Sequence, residues 1–344
     1  MTPPVQQAYL KRTLNLIYTS DNEPGYFRKK WGRGFRYLDE KNNALACKKT
    51  LDRIKDLVIP PIWEGVWICK KDNGHLQSTG RDLKKRKQYI YHVDWTAYRQ
   101  SQKFSKLLEF SRALPDLRKT VDKNLQKKKW TREKVLSLAI KIMDEQHIRI
   151  GNQQYAEKNG TYGLTTLRRK HIEMEKGELT FSYKAKSNKY RNVQITDSKL
   201  AKLIQQCSEL PGYKVLCYQG KDGKSNSIDS SEVNEFIQEN MGEEFSSKDF
   251  RTWGGTALAV KFYKEAVAEV KKNTRKKLEP TLVKKVAKEL GNTMAVCRKY
   301  YIHPCILELV KAEKLDAEDF PKDTKWLDGY ERATQRILKK NCKE

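Results

Sequence analysis

The stretch SSKDFRTWGGTALAVKFYKEAVAEV, Ser246 to Val270, decides the fold class. It reads as a helix with Ser246 or Ser247 as its N-cap, since either hydroxyl can accept a hydrogen bond from a free amide of the first turn. Two adjacent glycines, Gly254 and Gly255, sit inside it. Each costs up to about 1 kcal/mol relative to Ala in a helix interior. Their presence therefore implies close packing or a backbone approach. Working outward, EPTLVKKVAKELG has a proline in its first turn and stops at Gly291, a well-framed helix. Upstream, SQKFSKLLEFSRAL, TREKVLSLAIKIMDEQHI and DSKLAKLIQQC all carry helical apolar spacing. The second of these runs on to Arg149, which reads as part of the same apolar helix, with Asp144 or Glu145 as candidate ion-pair partners. A hairpin-like insertion, near 179–195, interrupts the helices, with Ser187-Asn188 near its turn. The tail from Asp319 onward reads as a charged helix and carries no further signal.

The first part of the chain has a different character. GYFRKKWGRGFRYLD, Gly25 to Asp39, mixes aromatics, glycines and cations. VWICKKDNGHLQSTGRD places an Asn73-Gly74 turn between alternating segments, a hairpin signal. RKQYIYHVDW follows, with Tyr89 and Tyr91 on one face of a strand. The chain thus reads as α+β: a small β-rich N-terminal domain, 1–96, and a larger, mainly α-helical domain, 97–344.

The 344 residues carry 70 Lys and Arg against 43 Asp and Glu, a formal net charge of +27. The excess is spread along the chain. A soluble surface needs far less, so a polyanionic partner is implied, and nucleic acid is the first candidate. No apolar run approaches the roughly 20 residues of a membrane span. The N-terminal MTPPVQQAYLKR lacks the apolar region of a secretory signal. Seven scattered cysteines, with no C-x-x-C pair, argue for a reducing compartment and against a disulfide framework or structural zinc. A cytoplasmic, DNA-associated protein is expected.

The chemistry centres on LGNTMAVCRKYYIHP, Leu290 to Pro304, where Arg298 and Lys299 precede two tyrosines. A phenol ionises near pH 10, so a tyrosine that attacks phosphorus needs neighbouring cations. Arginine suits the phosphoryl oxygens because its planar fork binds two at once. A lysine in a cation-rich site can give a proton to a leaving alkoxide. No compact carboxylate cluster stands at metal-ligand spacing. From these residues alone, Tyr300 and Tyr301 are both open.

Four blocks in order resemble the type IB DNA topoisomerases in their small bacterial and poxvirus-like form. IRIGNQQYAEKNGTYGLTTLRRKHI looks like the block of the first catalytic arginine, here Arg149. FSYKAKS resembles the hairpin block of the general-acid lysine, here Lys186, with Lys184 and Lys189 as neighbours. KDFRTWG resembles the block of the second arginine, Arg251. GNTMAVCRKYYIHP resembles the nucleophile block, whose tyrosine lies nine residues after a phosphate-contacting Asn or His; Asn292 then selects Tyr301. The resemblance spans roughly residues 25–310.

The resemblance implies a catalytic domain related to the tyrosine recombinases. It also implies a C-shaped clamp on double-stranded DNA, a monomer, and supercoil relaxation through a 3′-phosphotyrosyl link without ATP, metal or other cofactor. It places Gln88, Tyr89, Tyr91 and Tyr155 against DNA. Three departures stand out: Asn292 replaces the histidine of the poxvirus form, Ala185 stands where glycine is common before the lysine, and Asn152 replaces a base-contacting lysine. A tyrosine site-specific recombinase and a non-catalytic DNA-binding protein are the alternatives. Recombinases usually carry histidine where Lys248 stands, which favours the topoisomerase.

Overall fold

The computed structural model describes residues 13–341, apart from 176, 177, 221, 316 and 318. The N-terminal stretch read above for a secretory signal therefore lies wholly outside the described residues. The chain divides into two compact units, one ending at Lys103 and one beginning at Phe104. The division falls within a helix, Val93–Ser105.

The first unit is built on a five-stranded antiparallel sheet of order β2-β1-β3-β4-β5. Its strands are β1 (Gly25–Trp31), β2 (Gly34–Leu38), β3 (Glu64–Cys69), β4 (Leu76–Arg81) and β5 (Lys87–Tyr91). The central strand β3 is covered on both faces. Val66 and Ile68 pack with Ile54 of the Lys48–Asp56 helix, while Trp67 and Cys69 pack with Leu76. The Asn73-Gly74 turn lies between β3 and β4, as its sequence implied. Along β5 burial alternates, so Tyr89 and Tyr91 share the exposed face and Gln88 the other.

The second unit is mainly helical around one apolar core. Its centre is the helix Ser247–Lys261, buried over nearly its whole length. Ser246 is the N-cap residue, and the Asp249 carboxylate accepts from its backbone N–H at 2.8 Å. Phe250, Trp253, Ala257 and Val260 enter the core. The insertion is a three-stranded antiparallel sheet of β6 (Ile172–Glu175), β7 (Glu178–Lys184) and β8 (Tyr190–Ile195). Ser187 and Asn188 lie in the three-residue loop, Lys186–Asn188, that closes its β7–β8 hairpin, both left-handed with φ of 66° and 60°. The helices Leu278–Leu290 and Met294–Tyr300 follow, joined through Gly291 at φ 60°.

The thiols of Cys47, Cys69, Cys207, Cys217 and Cys297 are free. Cys305 is held in a disulfide, which the scattered spacing gave no reason to expect. No helix among the described residues is long and apolar enough to cross a membrane. Nor does any group of three His, Cys, Asp or Glu gather there as a metal ion would require.

Candidate active site

Two helix C-termini meet beneath the site. The Arg132–Gln146 helix stops at Gln146, because His147 takes the left-handed conformation with φ 51°. Arg149 therefore lies on the extended segment beyond the helix. This corrects the expectation that the helix carries it. The apolar periodicity runs through the break, since Ile148 is as buried as the helix residues before it. The segment is held by Leu164 N–H, which donates to Arg149 O at 2.8 Å. The Leu278–Leu290 helix stops at Gly291, and Asn292 follows two residues past its last carbonyl.

Arg149 and Asn292 then meet: Nη2 of Arg149 donates to Oδ1 of Asn292. Neither of the suggested carboxylates pairs with Arg149. Asp144 takes Arg118 at 2.7 Å, and Glu145 takes Lys141 at 2.9 Å. Because Oδ1 faces a cation, the amide presents Nδ2 as a donor on its other side. That nitrogen is buried near the Cys297 thiol and lacks a well-formed acceptor among the described residues.

Arg251 rises from the central helix and is 4% exposed. Its Nη1 donates to His147 O and its Nη2 to Leu290 O, at 2.9 Å for the latter. Its Nε is buried with no partner among the described residues. Tyr301 lies against it, with the guanidinium carbon 5.0 Å from the ring centre and a hydrogen bond between the two side chains. Burial first, then the Arg149 cation, pushes the Arg251 guanidinium down to about 10. It stays charged at neutral pH, in a setting that rewards an anion.

Tyr301 sits at the end of the Met294–Tyr300 helix, partly buried. The central helix grips its backbone. Thr256 Oγ1 donates to Tyr301 O at 3.2 Å and accepts from His303 N–H at 3.1 Å. A Cβ at Gly255 would stand 2.7 Å from Tyr301 O, and one at Gly254 2.5 Å from the His147 ring. The glycine pair thus lets the central helix approach both the Tyr301 segment and the helix end that leads to Arg149. Tyr300, by contrast, is 40% exposed, with Lys299 over its ring.

The site thus unites Arg149, Arg251, Asn292 and Tyr301. Lys186 is not drawn in: it is exposed in the hairpin turn, with no hydrogen-bond or ion-pair partner among the described residues. Tyr155 is 57% exposed on the Gln153–Asn159 helix. In the first unit Tyr89 and Tyr91 stack at 5.9 Å, while Gln88 donates to Asp82 at 3.0 Å.

Two residues of the site escaped the sequence reading. His147 has a buried Nδ1 without a partner among the described residues, and burial with nearby arginines pushes the imidazole down to about 3. It is a neutral spacer between helix end and glycine. Arg191, on β8, donates to Glu289 O at 2.9 Å and reaches Gln146 O at 3.4 Å. Its signal was present in the strand period: Arg191, Val193 and Ile195 alternate inward, so a charge stands at an inward position. None of Arg149, Arg191 and Arg251 has a carboxylate partner within ion-pair distance among the described residues.

Comparison with known proteins bears on the family of the chain. A family model of the eukaryotic DNA topoisomerase I catalytic core matches residues 85–325. One of the bacterial DNA topoisomerase IB N-terminal domain matches residues 34–82. The DNA topoisomerase 1B of Acanthamoeba polyphaga mimivirus is 32% identical over 295 residues, 83% of this chain and 87% of that one. The DNA topoisomerase 1B of vaccinia virus (strain Copenhagen) is 24% identical, over 67% of this chain and 71% of its own. Among solved structures, the XerH site-specific recombinase bound to difH substrate aligns over 70% of this chain and 60% of its own. That match has 17% identity and a TM-score of 0.33, too slight a likeness to bear on the fold.

Proposed function

The chain belongs to the type IB DNA topoisomerases, and we propose that Tyr301 is the nucleophile with which it opens one DNA strand. The carrying observation is the pairing of Arg149 with Asn292 and of Arg251 with Tyr301, with Arg251 Nε buried and unsatisfied among the described residues and Asn292 Nδ2 facing only the weakly accepting Cys297 thiol. Leaving such groups unpaired costs about 1–3 kcal/mol each. An anion with several acceptor oxygens removes that cost, and a scissile phosphodiester is such an anion.

Tyr301 releases its phenolic proton to solvent as its oxygen bonds to phosphorus, and the bond from phosphorus to the 5′-oxygen breaks. This leaves a 3′-phosphotyrosyl link and a 5′-hydroxyl end. A phenolate forming at Tyr301 is drawn toward the Arg251 cation. Arg149, Arg251 Nε and Asn292 Nδ2 hold the nonbridging oxygens as charge builds there, each donor contributing about 10²–10³ in rate. Asn292 serves where a histidine stands in the poxvirus form because it acts as a neutral donor, oriented by Arg149. Lys186 protonates the leaving oxygen once DNA lies across the hairpin. The free end turns about the intact strand and re-attacks. One phosphodiester replaces another, so the cycle needs neither ATP nor metal.

DNA is the partner. Tyr89, Tyr91, Tyr155 and Gln88 are proposed to face it, in a protein that acts as a monomer, DNA-associated in the cytoplasm. The test is relaxation of positively and negatively supercoiled plasmid in EDTA without ATP. Wild type and Tyr300→Phe should relax both, and Tyr301→Phe neither. Relaxation by Tyr301→Phe would refute the assignment. Wild type that binds DNA but relaxes nothing would point instead to a recombinase or a binding protein.

A further inference from the structure

Two arginines, not one, join the helix ends beneath the site. Arg251 bridges His147 O and Leu290 O. Arg191 bridges the carbonyls one residue earlier in each helix, Gln146 O at 3.4 Å and Glu289 O at 2.9 Å. The last carbonyls of a helix have no partner within it and carry the negative end of its dipole, so two such ends repel until cations lie between them. Gly291 makes room for the second cation: a Cβ there would stand 3.1 Å from Arg191 Nε. Burial and the nearby Arg149 hold the Arg191 guanidinium below its ordinary range, so its position is maintained against a cost.

The two joined helix ends lead directly to Arg149 and Asn292. Arg191 itself belongs to the hairpin, where it faces Tyr183 across the β7–β8 ladder. We propose that Arg191 is a positioning residue of the phosphate clamp. From β8 it ties together the two helix ends that deliver Arg149 and Asn292, and it makes the hairpin a structural part of that clamp. The proposal rests on the assignment of Arg149 and Asn292 to the phosphate. It separates two duties of one hairpin: proton donation at the turn by Lys186, and alignment of the clamp at the strand by Arg191.

The two duties are distinguishable by leaving group. A substrate with sulfur in place of the bridging 5′-oxygen releases a thiolate, which leaves without a donated proton, because a thiol ionises far more readily than an alcohol. Single-turnover cleavage and religation would be measured for wild type, Arg191→Met, Arg191→Lys and Lys186→Ala on oxygen and sulfur substrates, with DNA affinity and thermal unfolding recorded. Lys186→Ala should be slow on oxygen and restored on sulfur. Arg191→Met should be slowed about 10²-fold on both, the scale of an ångström's misplacement of a reacting group. Cleavage and religation should slow equally, because they share one transition state, so the cleaved fraction at equilibrium should not move. DNA affinity should also be unchanged. Arg191→Lys should fall between, since an ammonium keeps the charge but loses the fork.

Wild-type rates for Arg191→Met would overturn the proposal. So would a defect that disappears on sulfur, which would place its effect on Lys186. A loss of activity matched by loss of folded protein would reduce Arg191 to a core contact. Tyr301→Phe, run alongside, keeps the nucleophile assignment separate: an adduct formed by that variant would sink it while leaving the Arg191 comparison readable.

Discussion

At the scale of the residue, the site depends on two absent methyl groups. Gly254 and Gly255 bring the central helix against the His147 ring and the Tyr301 backbone. A methyl group at Gly255 would meet the Tyr301 carbonyl, and a backbone carbonyl cannot swing aside as a side-chain tip can. Gly255→Ala should therefore cost at least about 10²-fold in adduct formation through displacement of the phenol. Its effect on thermal unfolding should be modest, because Ala favours the helix. Paired adduct assays and melting curves would check this; equal activity with lowered stability would contradict it. These glycines were legible in the sequence because a helix rarely tolerates them without reason. The left-handed His147 was not. Nothing in the run EQHIRI announces a stop, and the apolar pattern continues through Ile148, so Arg149 was read into the helix.

At the scale of the element, helices and hairpins were legible wherever caps, turns or periodicity marked them. Pro280 with Gly291 and Asn73-Gly74 each stand where expected. What escaped was tertiary pairing of charges, which leaves no local trace. The charged tail read as empty of signal, yet its helix Gly329–Asn341 carries Glu331, 4% exposed. Arg118 joins Glu331 and Asp144, each at 2.7 Å, and Trp253 Nε1 donates to Glu331 at 3.0 Å. This network ties the last helix to the one that carries Arg251. The two carboxylates hold the Arg118 guanidinium above its already high ordinary range. Arg118→Met would leave both carboxylates buried without their cation, so it should destabilise the protein by about 3–5 kcal/mol. Urea unfolding would measure it. Adding Asp144→Asn and Glu331→Gln should recover part of the loss, and no recovery would contradict the account.

At the scale of the molecule, composition announced the partner before any motif did, since +27 on 344 residues calls for a polyanion. The chemistry needed more: four blocks in order, each unremarkable alone, three of which the fold gathers from helix ends, a central helix and the Tyr301 turn. Lys186 stands exposed at the hairpin turn with no hydrogen bond or ion pair to the other three blocks among the described residues, so the role proposed for it is one that DNA must complete. The central claim is that Tyr301 becomes covalently joined to DNA. The most direct measurement is to trap the protein on a nicked duplex, digest protein and DNA, and identify the phosphotyrosyl peptide and the strand end by mass spectrometry. The account predicts phosphate on Tyr301, joined to a 3′ end, with a free 5′-hydroxyl on the released strand. Phosphate on Tyr300, a 5′ linkage, or no adduct from protein that binds DNA would contradict it.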